Sequence, residues 1–200
     1  MKKVFIIASL FISILLNTNS VSAFSKNFEN SLDPYLNKIK EINDTYGSNY
    51  YILSSNEFYT SEIKVNFESD YDKYIHFITS QDIDVFGQNL INELKYTIKD
   101  TYEIKLDNFT RSSYGSKTVA FFNGNNKMTL NYKYSGSTFD TSYKPTATVS
   151  KINSIMFFEM SSYSGKFMNS NKTYSVLAKG RVITTTGIAN NKSYTVNFNL

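Results

Sequence analysis

The chain has 200 residues, a formal net charge of +4, 41% hydrophobic residues, and 16 Tyr and 16 Phe without Trp. That composition belongs to a folded protein and not to a disordered or fibrous one, and the length suits one domain with a proper core or a small head plus one domain. Cysteine is absent, which excludes disulfides, thiolate nucleophiles, thiolate metal sites and a lipid-modified N-terminal cysteine.

The opening "MKKVFIIASLFISILLNTNSVSA" has Lys2 and Lys3, then an apolar run from Val4 to Leu16, then the small-residue exit Val21-Ser22-Ala23. This is the pattern of a secretory signal peptide with cleavage after Ala23, so residues 1–23 are expected to be removed and the mature chain to begin near Phe24. The run is about 13 residues, short of the ~20 that cross a bilayer, so no transmembrane segment is expected after cleavage. Export without a single disulfide fits a bacterial exporter, and the strand-like end "YTVNFNL" suggests free release or non-covalent retention at the envelope.

Residues 24–95 read as a helical head. In "SLDPYLNKIKEINDTYG", Asp33 and Pro34 mark a start, Leu36, Ile39, Ile42 and Tyr46 recur at helical spacing, and Gly47 marks a stop. Ser54 and Glu57 have capping-box spacing for a short helix. "EIKVNF" alternates and predicts a strand over 62–67. Two further starts, "SDYD" and "TSQD", open helices with apolar stripes through Tyr74, Ile75 and Ile78 and through Phe86, Leu90 and Leu94.

Beyond residue 95 the period shifts to two, and residues 96–200 read as a β-rich domain. "KMTLNYKY" sets Met128, Leu130, Tyr132 and Tyr134 against Lys127, Thr129, Asn131 and Lys133. Strands are also predicted over 102–106, 118–122, 147–152, 155–160 and 173–184, with turns at "NGNN", "SGST", "YSGK" and "ANNKS". The expected fold class is α+β, mainly β: a helical head packed on an antiparallel β-sandwich or partly open barrel.

Charge divides along the same line. Residues 24–100 carry 7 Lys/Arg against 13 Asp/Glu, net −6, and residues 101–200 carry 12 against 4, net +8. The two fields could neutralise each other within the fold. The other possibility is a binding surface for an anionic wall polymer or glycan, built from Lys105, Lys127, Lys133, Lys179 and Arg181. Tyr114, Tyr143 and Tyr163, which fall in predicted loops, are the candidate aromatic contacts, whereas Tyr132, Tyr134, Tyr174 and Tyr194 share parity with core residues. Nucleic acid is disfavoured, since no recognised binding motif is present and export argues against it.

Catalytic parts are scarce. The single histidine, His76, lies in "YIHFIT" outside any hydrolase or zinc motif and reads as structural. Asp70-Tyr71-Asp72 and Asp82-Ile83-Asp84 could hold a hard cation or contribute to a glycosidase pair, but both fall in a first helical turn, where capping explains them. No catalytic residue, metal site or cofactor is expected. The stretches "LNKIKEINDTYGSNYYILSSNEF" and "GRVITTTGIANNKSYTVNF" resemble uncharacterised secreted proteins of Gram-positive bacteria, which implies secretion and a helical head before a β-rich domain. The expectation is a secreted, non-enzymatic binding protein at the cell envelope, with a carboxylate-dependent glycan hydrolase or a protein-interaction factor as alternatives.

Overall fold

The computed structural model describes residues 31–95, 100–106, 113–153 and 156–200. The expected signal peptide and its cleavage site after Ala23 lie outside these residues. Helix α1 covers residues 31–46 and buries Tyr35, Ile39 and Ile42 on one face; of the predicted stripe Ile39 and Ile42 are buried, whereas Leu36 and Tyr46 are exposed and Tyr35 takes the inner face instead. Strand β1 (Tyr50–Tyr51) follows, then α2 (Ser55–Thr60), a 3-10 helix (Glu62–Phe67), α3 (Tyr71–Thr79) and α4 (Ile83–Lys95).

Caps explain where these helices begin. Ser54 and Glu57 form the predicted capping box, Asp70 accepts from the amides of Asp72 and Lys73, and Asp82 accepts from those of Asp84 and Val85. The predicted strand over 62–67 is instead the 3-10 helix. Ser61 caps it by accepting from Ile63 N, and Glu68 closes it in the left-handed conformation at φ 55°. A local cap with one buried anchor, Ile63, overrode a six-residue alternation that had no partner strand.

The β-region holds β2 (Thr101–Lys105), β3 (Ser113–Phe121), β4 (Asn126–Ser135), β5 (Thr138–Phe139), β6 (Thr146–Lys151), β7 (Phe157–Met168), β8 (Thr173–Ile183) and β9 (Ala189–Asn199). The first sheet runs β7-β8-β9, with β1 and β2 end to end on the outer edge of β9; only β2 pairs in parallel. The second places β3 beside β4, with β5 and β6 end to end on the far edge. The two sheets are not closed into a barrel. They pack as a sandwich over Leu130, Tyr132, Tyr174, Val176, Tyr194 and Val196, among others.

Two predicted turns lie within strands. "YSGK" sits inside β7, where Gly165 leaves room for the Tyr174 ring; a Cβ there would stand 2.0 Å from the phenol oxygen. "ANNKS" opens β9, and the hairpin turns one step earlier, at Thr184–Ile188, where Gly187 takes φ +83° and Thr184 Oγ1 accepts from Ile188 N.

The head covers one end of the first sheet. A second core joins Tyr35, Ile42, Phe58, Tyr74 and Phe86 to Phe157, Ile183, Ile188 and Ala189 of the strands. Polar ties fix the joint: Tyr74 Oη donates to Gly187 O (3.0 Å) and accepts from Leu53 N (3.1 Å), and Glu93 Oε1 accepts from Thr185 N (3.1 Å) and Thr185 Oγ1 (2.6 Å). No helix among the described residues is long and apolar enough to cross a membrane.

Candidate functional site

Strand alternation sends the polar half of β4 to the outer face of the second sheet, away from the sandwich core. There Lys133 pairs in register with Tyr114 of β3, and Lys127 with Ala120 and Ser150. Tyr114 is 69% exposed, yet its ring is oriented: Tyr143 meets it edge-on at 5.5 Å, and Lys133 Nζ stands 5.8 Å over it. Lys133 is itself held by Asp140 Oδ2 at 2.9 Å, and Asp140 Oδ1 accepts from Ser142 N and Oγ. Hydrogen bonds from Lys133 and Ser142 pull the Asp140 carboxyl down to about 2, and the Asp140 partner raises Lys133. Four of the eight predicted binding residues, Lys127, Lys133, Tyr114 and Tyr143, therefore share one face, and of these Lys133 is already paired with a carboxylate.

The other four are dispersed. Lys105 and Lys179 are exposed on the outer face of the first sheet, beside Asn199 and between Ser162 and Ser193 respectively. Tyr163 turns inward instead; it pairs with Ala178 and packs half-buried against the sandwich core. Arg181 is 17% exposed and is committed to the joint between head and sheet. Its Nε donates to Glu159 Oε2 at 2.8 Å, and its Nη1 lies 3.5 Å from Glu57 Oε1.

Around Arg181 the head and both sheets enclose a cleft of about 540 Å³, lined by Glu57, Glu62, Lys151, Glu159 and Gly180 among others. Its charged groups satisfy one another. Glu159 Oε1 accepts from Ser61 Oγ and Glu62 N, both at 2.6 Å, and Lys151 Nζ reaches Glu62 Oε2 at 3.4 Å while lying 4.8 Å from the Phe157 ring. Burial opposes the charge on Arg181, but the hydrogen bond and charge of Glu159 outweigh it and raise the guanidinium further. This cleft is a fastening, assembled from a motif-free scatter of residues that sequence spacing could not bring together.

Among the described residues of the head, the acids and the histidine singled out from the sequence are not brought together. Asp70 and Asp82 each cap a helix through Oδ1, and His76 is exposed on α3 rather than packed among its aromatic neighbours. Sequence reasoning missed Lys166, Ser164, Ser175 and Thr195, which line a shallow trough of about 310 Å³ on the outer face of the first sheet. The misplaced "YSGK" turn hid Ser164 and Lys166, because a strand through that stretch is what aligns them with Ser175.

No protein-family model matches the chain, and no curated protein matches it. Among solved structures, the chain is similar to a two-domain protein with unknown function from Bacteroides thetaiotaomicron, at 11% identity over 70% of this chain and 68% of that one, with a TM-score of 0.27. A likeness at that score supports neither a fold assignment nor a function.

Proposed function

We propose that the protein is a secreted, non-enzymatic binding module that acts at the cell envelope and engages saccharide units of an envelope polymer on the outer face of its second sheet. The observation that carries this reading is Tyr114: a ring 69% exposed yet held in place by Tyr143 and Lys133. A fixed aromatic face amid short polar side chains suits the flat C–H surface of a sugar ring, and little side-chain entropy remains to be lost on binding. Thr118, Thr129, Asn131 and the Lys133–Asp140 pair offer donors and acceptors to sugar hydroxyls. Lys127 supplies a charge for anionic polymers.

Binding is favoured over catalysis because Lys133 and Asp140 are each pushed toward the charged form. Neither is poised near neutrality to pass a proton. Calorimetric titration of the purified protein with solubilised wall polysaccharide tests the reading. Tyr114→Ala is expected to weaken binding about tenfold, a loss of about 1.4 kcal/mol, with Tyr114→Phe close to the parent. Equal affinity of the alanine variant would remove the tyrosine face from consideration.

A further inference from the structure

The trough on the first sheet is a second, separate surface. Its floor comes from three strands: Ser164, Gly165 and Lys166 of β7, Ser175 and Leu177 of β8, and Thr195 of β9. The register places Ser164 opposite Leu177, Lys166 opposite Ser175, and Thr195 on the other side of Leu177. These positions point away from the sandwich core, whose side of β8 is taken by Tyr174, Val176 and Ala178.

Ser175 is the telling residue. It is only 7% exposed, lines the trough, and its hydroxyl makes no hydrogen bond to another described side chain or backbone group. The hydroxyls of Ser164 and Thr195 likewise make no hydrogen bond among the described residues, and both residues line the trough. The Ser175 oxygen is not among the sealed, unpartnered polar atoms of the described residues, so a ligand in the trough can reach it. Beside it stands the Lys166 ammonium, with Lys179 further along the same face. On the far side of β9 the Glu103 carboxylate is tied by Asn197 Nδ2 (2.6 Å) and Asn199 Nδ2 (2.9 Å), which lower it into its charged form. An anionic group is thereby directed to the β7–β8 side, and an uncharged, hydroxylated remainder to the β9 side.

We infer that this trough binds a phosphate ester of a small polyol, with the phosphate against Lys166 and the Ser164 and Ser175 hydroxyls and the polyol hydroxyls toward Thr195. A tetrahedral phosphate accepts from several donors at once, which an ammonium flanked by two hydroxyls supplies. Hydroxyls both donate and accept, so Thr195 complements a polyol better than it does a second anion.

The probe is glycerol 3-phosphate, titrated into the purified protein at low ionic strength and followed by amide chemical shifts of β7, β8 and β9. Saturable shifts confined to these strands are expected, with glycerol inert and inorganic phosphate at least about fivefold weaker. Lys166→Gln is expected to weaken binding about tenfold and Ser175→Ala about fivefold, both with unchanged thermal stability. Equal affinity for inorganic phosphate would overturn the polyol assignment. No saturable shift, or affinity undiminished in both variants, would overturn the site. Tyr114→Ala leaves this binding unchanged, which keeps its outcome separate from that of the tyrosine face.

Discussion

Gly180 shows how much one missing side chain decides. It sits opposite Met160 beside the β7 bulge, and a Cβ there would stand 1.9 Å from the Glu159 carbonyl oxygen. The obstacle is backbone, so no rotamer change relieves it, and the strand that carries Arg181 and Glu159 into contact would be pushed apart. Gly180→Ala is expected to cost about 3 kcal/mol or more in denaturant unfolding, above the usual range for overpacking. A loss below about 1 kcal/mol would mean that the bulge can shift freely.

Glu93 carries the second residue-scale prediction. Burial raises its carboxyl, the hydrogen bonds from Thr185 and Thr184 lower it by less, and its Oε2 is buried with no hydrogen-bond partner within bonding distance among the described residues. The folded state thus holds this proton more tightly than the unfolded chain does, so stability falls as pH rises from the ordinary carboxylate range through the raised folded value. Glu93→Gln keeps an acceptor for Thr185 and removes the titration. The variant is expected to gain on the parent as pH rises above the ordinary carboxylate range in chemical unfolding, and parallel pH profiles for the two proteins would exclude a buried titrating Glu93.

At the scale of elements, Arg181 of β8 and Lys151 of β6 both reach acids of the helical head, yet their surroundings differ. Arg181 is 17% exposed and binds Glu159 and Glu57, whereas Lys151 meets Glu62 at 3.4 Å with Glu62 54% exposed. Removing a buried partner strands a desolvated carboxylate, but a solvated pair is worth little. Arg181→Met is expected to destabilise by about 3 kcal/mol and Lys151→Met by less than about 1 kcal/mol, measured by equilibrium unfolding; the reverse order would contradict the assignment of the joint.

Elements with chemical punctuation were legible in the sequence: the Ser54–Glu57 box, the Asp70 and Asp82 caps, and the alternating "KMTLNYKY" all stand where spacing puts them. Those decided by distant partners were not. "YSGK" has the composition of a turn, but Gly165 is demanded by Tyr174 across the strand pair, and "ANNKS" is drawn into β9 by pairing with β8 and β1. Sequence parity put Lys133 on view, and a predicted loop put Tyr114 there although it stands within β3; neither showed that Asp140 and Tyr143 hold them.

At the scale of the whole molecule, the opposition between net −6 and net +8 is partly spent within the fold. Arg181–Glu57 and Lys151–Glu62 link base-rich strands to the acid-rich head, and Lys133–Asp140 closes locally, so two of the five basic residues expected to meet a ligand already have carboxylate partners. Lys105, Lys127 and Lys179 remain exposed, on two faces of the sandwich. The polymer-binding reading therefore rests more on the oriented Tyr114–Tyr143 pair than on net charge, and salt is expected to weaken the interaction without abolishing it.

Co-sedimentation of the purified protein with isolated Gram-positive cell walls, comparing the parent with Tyr114→Ala/Tyr143→Ala across a salt series, tests that claim most directly. The account predicts that the parent pellets with the walls and is released only gradually as salt rises, while the double variant stays in the supernatant at every salt concentration. A double variant that pellets like the parent, or a parent that does not pellet at low salt, would contradict it.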